Sequence, residues 1–78
     1  MSTREKLLAK LLAGKADNNF AFGVLVAVLV HSGYRHERTT GSHMIFRHTT
    51  LPMVNVQKRN DGKAKGYQVR QIRDILSK

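Results

Sequence analysis

Residues 34–57, YRHERTTGSHMIFRHTTLPMVNVQ, decide the fold of this chain. Three short stretches rich in β-branched or aromatic residues, YRHERTT, MIFRH and MVNVQ, are separated by Gly-Ser and by Thr-Thr-Leu-Pro. Strand-forming segments divided by turn formers at this spacing predict three strands of an antiparallel meander. Pro52 is expected just before the third strand, where its missing N–H donor does least harm.

A helix is predicted at the N-terminus and another at the C-terminus. Ser2 and Glu5 have the spacing of a capping box, and leucines at helical intervals follow up to Gly14, which indicates a short amphipathic helix. The segment YQVRQIRDILSK, residues 67–78, has one apolar stripe and a basic opposite side, as in a closing helix. The stripe consists of Val69, Ile72, Ile75 and Leu76.

The apolar run AFGVLVAVLVHSG lies between the first helix and the strands. Its valines favour a strand, whereas its length and its ending at Gly33 favour a helix. Nothing else in the chain is large enough to cover both faces of so long a strand, so we expect a helix over residues 22–32. The outer face of this helix is unusually apolar, which is typical of a partner surface or of a homo-oligomer.

These elements predict an α+β fold in the order α-α-β-β-β-α. Seventy-eight residues suffice for one small domain, so we treat residues 1–78 as a single unit. Helices are expected to cover one face of the three-stranded antiparallel sheet. The other face is then left open.

The charge balance points to a polyanionic partner. Fourteen Lys and Arg against five Asp and Glu give a formal charge of +9, and much of the excess falls in residues 58–78. Such a field favours RNA or DNA. The alternative, equally compatible with composition, is that the charge only keeps a small protein soluble.

Several classes of protein are disfavoured. The chain has no cysteine, so it has no disulfides or thiolate metal sites, and this fits a reducing compartment such as the cytoplasm. The apolar run of residues 20–30 is shorter than the roughly 20 residues that cross a membrane, and polar residues 17–19 argue against a signal peptide. The four histidines lack a compact ligand motif, so we expect no metal and no cofactor.

Alternation along the second strand separates two sets of side chains. Met44, Phe46 and His48 are predicted to face the core, whereas His43, Ile45 and Arg47 face the open side. His43 and Arg47 would then stand about 13 Å apart along the strand.

An exposed histidine of this kind suits RNA cleavage. Imidazole titrates near neutrality, so His43 could take a proton from a ribose 2'-hydroxyl while Arg47 holds a phosphate. The alternative is a plain turn with a half-exposed ring. His31 at a helix end is interpreted as a structural histidine, His36 as a strand-surface residue and His48 as a strand-end residue.

A family resemblance adds to this interpretation. The stretch GYRHERTTGSHMIFRHTTLPMVNVQ, with KGYQVRQIRDIL behind it, resembles the HicA (YcfA-like) toxins of bacterial toxin-antitoxin systems over about residues 20–78. The shared features are a Gly-aromatic pair that ends a helix, a Gly-Ser-His strand, a Val/Ile-rich third strand and a closing helix. The helix within residues 1–14 is an addition to the shortest members. The helix over 22–32 also lacks their outward charges.

The resemblance implies a fold like that of the double-stranded-RNA-binding domain, ribosome-independent cleavage of messenger RNA, and neutralisation by a HicB-type antitoxin. His43 would be the catalytic residue, and Gly41 and Ser42 the turn that presents it. The expected phosphate contacts are Arg47, Lys63, Lys65, Arg70 and Arg73. Lys63 and Lys65 flank the start of the closing helix, where backbone amides also favour an anion.

Two alternative hypotheses are compatible with the same residues. The first is a noncatalytic RNA-binding module that grips A-form RNA by shape and phosphate. The second is a protein-interaction subunit that works through the apolar helix.

Overall fold

A computed structural model of the chain describes residues 2–77. The predicted α+β class and the order α-α-β-β-β-α are confirmed, with an additional 3-10 turn between the first two helices. The elements are α1 (Thr3–Leu12), the 3-10 turn (Asp17–Asn19), α2 (Phe22–His31), β1 (Arg35–Thr40), β2 (His43–Arg47), β3 (Val54–Gln57) and α3 (Gly66–Leu76). Within residues 2–77, no helix is long and apolar enough to cross a lipid bilayer.

The sheet is a meander in which β2 lies between β1 and β3, antiparallel to both. The β1–β2 turn contains Gly41 at φ +61°, a left-handed conformation that glycine adopts without steric cost. On β1, His36 is opposite Phe46 and Arg38 is opposite Ile45, so Glu37 is an extra residue that forms a bulge. Pro52 precedes β3 as predicted.

The core lies between the sheet and the three helices. Ser2 caps α1 by accepting the backbone N–H of Glu5 at 3.2 Å, as its spacing predicted. Each helix and the strands β2 and β3 contribute side chains that are almost fully buried. They include Leu11 of α1, Leu25 and Leu29 of α2, Phe46 of β2, Val54 and Val56 of β3, and Val69 and Ile72 of α3.

The two faces of β2 differ in one respect from the prediction. Phe46 is fully buried, and Met44 packs against the core as expected. Ile45, however, is only 7% exposed although it belongs to the open face and lies outside the main core cluster. Its position in the central strand explains this burial, because Arg38 of β1 and Asn55 of β3 flank it on either side.

The apolar surface of α2 is smaller than its sequence predicts. Val24 and Val26 are partly buried against the core, and α1 packs on α2. Val30 alone of the large apolar side chains in α2 is strongly exposed, at 54%. The N-terminal helix therefore covers much of the face that the sequence left without a partner.

His48 makes hydrogen bonds both to the end of α2 and to the loop that precedes β3. Its Nδ1 accepts the backbone N–H groups of Thr50 and Leu51, both at 3.1 Å, and its Nε2 donates to the carbonyl of Ser32 at 3.1 Å. The ring also lies 4.9 Å from that of Tyr34, whose hydroxyl donates to the carbonyl of Pro52. Both ring nitrogens are thus used inside the fold, a structural role that the sequence, which indicated a strand-end position, did not predict for this histidine.

Candidate functional site

His43 is exposed on the open face of the sheet. It is the first residue of β2 and lies opposite Thr40 of β1 and Gln57 of β3. The helices pack against the other face, so the ring is accessible, as alternation along the strand predicted. Accessibility is a condition for any chemistry on a polymer as large as RNA.

A hydrogen bond that His43 donates to Asn55 sets the tautomer of the imidazole. Asn55 lies on β3 diagonally across from His43, and its Oδ1 is 3.1 Å from His43 Nδ1. An amide oxygen only accepts, so Nδ1 carries the proton and donates it to this bond. The Nε2 of the neutral ring then keeps its lone pair and is free to accept a proton from a substrate.

A cavity of about 280 Å³ opens beside His43 between β3 and the start of α3. Its walls are formed by His43, Met53, Asn55, Tyr67, Gln68 and Gln71. Gln68 is only 4% exposed, and its Oε1 accepts the backbone N–H of Gln57 at 2.9 Å. This bond holds the first turn of α3 against β3 and so brings helix side chains to the histidine.

The predicted turn residues, Gly41 and Ser42, form the turn between β1 and β2, directly before His43. Ser42 Oγ accepts a hydrogen bond from Gln57 Nε2 at 3.0 Å, which ties the turn to β3. Gly41 and Ser42 also line a second cavity of about 460 Å³ together with Lys58 and Arg59. The turn that presents His43 therefore borders a cationic segment.

This cationic segment follows β3 directly. The segment comprises residues 58–65, and its Lys65 lines a third cavity, also of about 460 Å³. The other lining residues are Gln57 at the end of β3 and Lys58, Arg59, Asn60 and Asp61 of this segment. Arg59 is bound to Asp61 at 2.7 Å and to the carbonyl of Asn18 at 2.8 Å. Within residues 2–77, the ammonium groups of Lys58, Lys63 and Lys65 have no acidic partner within 4.0 Å.

The N-terminus of α3 is more crowded than the sequence indicates. A Cβ atom on Gly66 would lie 2.0 Å from Oδ1 of Asn18, so any larger residue there would require the Asn18 side chain to move. The side chain of Asn18 thus occupies space where an anion was expected to approach the first amides of the helix. Lys63 and Lys65 flank this position as predicted, and Lys65 is the N-cap residue.

Arg47 lies on the open face, at the opposite end of β2 from His43. Its Nε donates to Glu37, the bulge residue, in a close ion pair, and Glu37 is also 3.9 Å from Arg38. The predicted phosphate-binding arginine therefore has an internal carboxylate partner. Any anion that bound Arg47 would have to compete with Glu37 for it.

Arg70 and Arg73 do not line the His43 cavity and contact Asp17 instead. Arg73 makes a two-pronged ion pair with Asp17, at 2.7 and 2.9 Å, and Arg70 is 3.9 Å from the same carboxylate. The hydrogen bonds from Arg73 hold the pKa of Asp17 below its ordinary value. The structure groups these arginines around Asp17, a contact between residues 56 positions apart that local pattern does not reveal.

The other histidines are separate from this site. His31 is exposed at the end of α2, and His36 is bonded through Nε2 to Thr39 Oγ at 2.9 Å. In the part of the chain that the structure describes, no three His, Asp or Glu side chains form a group that could hold a metal ion.

The sequence interpretation missed Asn55, Tyr67 and Gln71 as neighbours of His43. Alternation in MVNVQ could have placed Asn55 on the same face as His43, because β3 pairs directly with β2. Tyr67 and Gln71 gave no such signal, since their place beside His43 depends on how α3 docks.

Comparisons of the chain with protein-family models, with curated proteins and with solved structures find no match.

Proposed function

We propose that this chain is the toxin of a toxin-antitoxin pair, an endoribonuclease that cleaves messenger RNA with His43 as general base and without a metal ion. The observation that carries the proposal is an exposed imidazole whose Nδ1 is bound to Asn55, leaving Nε2 for the substrate. The HicA-like Gly41-Ser42-His43 motif supports the same assignment.

The reaction follows from the free Nε2. This atom takes the proton of a ribose 2'-hydroxyl, the oxygen attacks the adjacent phosphorus, and the bond from phosphorus to the 5'-oxygen breaks. The leaving 5'-oxygen takes a proton from water, which gives a 2',3'-cyclic phosphate and a 5'-hydroxyl end. General base catalysis of this kind supplies an acceleration of about 10² to 10⁴.

Cationic side chains would stabilise the charge that builds on the phosphorane. Lys58 and Lys65 are suited to this because they have no acidic partner within residues 2–77 and border the same end of the sheet as the His43 turn. We assign phosphate binding to them and to Lys63 before the predicted arginines, because Arg47 and Arg73 already have carboxylate partners.

A HicB-type antitoxin is the proposed protein partner. A toxin with a charge of +9 and an exposed imidazole is inactivated most simply by an acidic surface that covers His43. The exposed Val30 of α2 leaves room for self-association as well, over a smaller area than the sequence indicated.

The test is cleavage of a labelled single-stranded RNA by the purified chain in the presence of EDTA. We expect wild type to produce cyclic-phosphate ends and His43→Ala to lose activity by about 10² or more. His31→Ala, which removes an exposed histidine at the end of α2, serves as the matched control and should cut at the wild-type rate. Equal cutting by His43→Ala and wild type would refute the proposal.

Lys58, Lys63 and Lys65, which have no acidic partner among the residues that the structure describes, also suit a second function, that of a noncatalytic RNA-binding module. Binding through phosphates should weaken steeply with salt, and each contact contributes roughly 0.7 to 0.9 to the logarithmic slope. We expect Lys58→Ala and Lys65→Ala each to reduce the magnitude of that slope by about 0.7 to 0.9, the contribution of one phosphate contact. Salt-dependent binding with no His43-dependent cutting would favour the binding module over the nuclease.

A further inference from the structure

Two exposed apolar side chains flank the cavity beside His43. Four large apolar residues stand out as strongly exposed in the described chain: Leu12, Val30, Met53 and Tyr67. Met53 and Tyr67, at 48% and 59% exposure, both line this one cavity, whereas Leu12 and Val30 lie on α1 and α2. An aromatic ring and a flexible thioether beside a candidate catalytic base are a pattern that core packing does not explain.

The polar side chains that line the cavity differ in whether they already make hydrogen bonds within the fold. Asn55 is bonded to His43, and Gln68 is bonded through Oε1 to Gln57 and, more weakly, through Nε2 to the hydroxyl of Tyr67 at 3.4 Å. The amide of Gln71 has no hydrogen-bond partner within residues 2–77. The cavity thus offers apolar walls and one free amide that can both donate and accept.

Unpaired nucleobases are recognised by such a combination. Bases removed from a helix stack on aromatic side chains and form hydrogen bonds through their edges. A base within A-form duplex keeps both its stacking neighbours and its paired partner, so it cannot enter a cavity that lies between β3 and α3. The high positive charge of the chain suits the phosphates on either side of the inserted base.

We propose that Tyr67 and Met53 hold one unpaired nucleobase beside His43, with Gln71 bonded to the edge of that base. The substrate class is then single-stranded RNA, or an unpaired loop. It is not the duplex RNA that a fold like that of the double-stranded-RNA-binding domain would suggest. The role of this base in positioning the 2'-hydroxyl rests on the proposed nuclease function. Binding of the base by itself does not.

The test measures binding to RNA that cannot be cut. A fluorescent 2'-O-methyl single strand and a hairpin duplex of equal length are titrated with the full chain. We expect the single strand to bind more tightly and Tyr67→Ala to weaken its binding about tenfold, the effect of losing one stacked base. Tyr67→Phe keeps the ring and should stay within about twofold of wild type.

The control variant is Leu12→Ala, which removes an exposed apolar side chain from α1 and should leave binding unchanged. Gln71→Ala should reduce the differences in affinity among the four single-stranded homopolymers. Tyr67 is largely exposed, so its truncation should leave the thermal unfolding curve in place. Single-strand binding that is unaffected by Tyr67→Ala, or a duplex that binds as well as the single strand, would overturn the inference.

The same titrations separate this inference from the proposed function. If RNA is cut with a requirement for His43 while binding is indifferent to Tyr67, the base-binding inference fails and the nuclease stands. If single strands bind with a requirement for Tyr67 but His43→Ala changes no cutting, the nuclease fails and the base site stands.

Discussion

A single hydrogen bond determines what His43 can do. Without Asn55, the imidazole could carry its proton on either nitrogen and could rotate about its side-chain bonds. With Oδ1 of Asn55 at 3.1 Å, Nδ1 is the donor and Nε2 the free acceptor. Asn55 is exposed on β3, so its side chain serves this contact rather than the core. It is a positioning residue in the proposed reaction.

Asn55→Ala should therefore lower kcat for RNA cleavage with little change in KM. We expect a loss of about tenfold to a hundredfold, the scale of a misplaced catalytic group. The measurement is steady-state cleavage of an RNA oligonucleotide, with a thermal melt to show that the fold is intact. A rise in KM at constant kcat would instead make Asn55 a substrate contact.

At the scale of elements, α1 is a structural part of the domain. Compared with the shortest members of the family that the sequence resembles, the helix within residues 1–14 is an addition. Leu11 is nevertheless only 1% exposed and belongs to the same core as Phe46 and Val56. Leu7 and Leu8 pack against that core as well. In a domain of this size, removal of α1 would expose to water the face of α2 that α1 now covers.

Leu11→Ala should destabilise the whole domain. Truncation of a fully buried leucine leaves a cavity and costs about 2 to 5 kcal/mol of unfolding free energy. Leu12→Ala, one position along the same helix and 43% exposed, should change it by no more than about 0.5 kcal/mol. Urea titration followed by circular dichroism measures both values. Similar losses for the two variants would mean that α1 contributes through helix propensity and not through burial.

At the scale of the whole molecule, Asp17 links the turn after α1 to the C-terminal helix α3. It lies in the 3-10 turn after α1 and binds Arg73 near the end of α3. The hydrogen bonds from Arg73 lower the pKa of Asp17 more than its partial burial raises it. The carboxylate is therefore favoured in the folded state, and its protonation opposes folding.

This contact should make stability depend on pH in a defined direction. Because the folded pKa of Asp17 lies below the unfolded value of about 3.9, the stabilisation is complete above that value and is lost as pH falls through the folded pKa. The unfolding free energies of wild type and Asp17→Asn should differ at pH 6 and converge towards pH 2.5. A difference between them that is constant over this range would contradict the assignment.

Residues close in sequence were predicted better than residues joined across the fold. The strands, the capping of α1 and the exposure of His43 and Arg47 were predicted because alternation and capping are local patterns. The partner of Arg73 and the approach of Tyr67 to His43 were not, since both depend on the docking of α3. Burial of Ile45 on the open face also escaped prediction, because strand order and not periodicity places it in the middle of the sheet.

The bulge at Glu37 has a consequence for how copies of this chain meet. β1 is an edge strand, and all six of its side chains are exposed. An unpaired edge is a template on which further strands can add, and the resulting assemblies grow into fibrils. The kink at Glu37 interrupts the row of free backbone groups, and Arg35, Glu37 and Arg38 place charge along it. The kink and the charges therefore disfavour the addition of a further strand to β1.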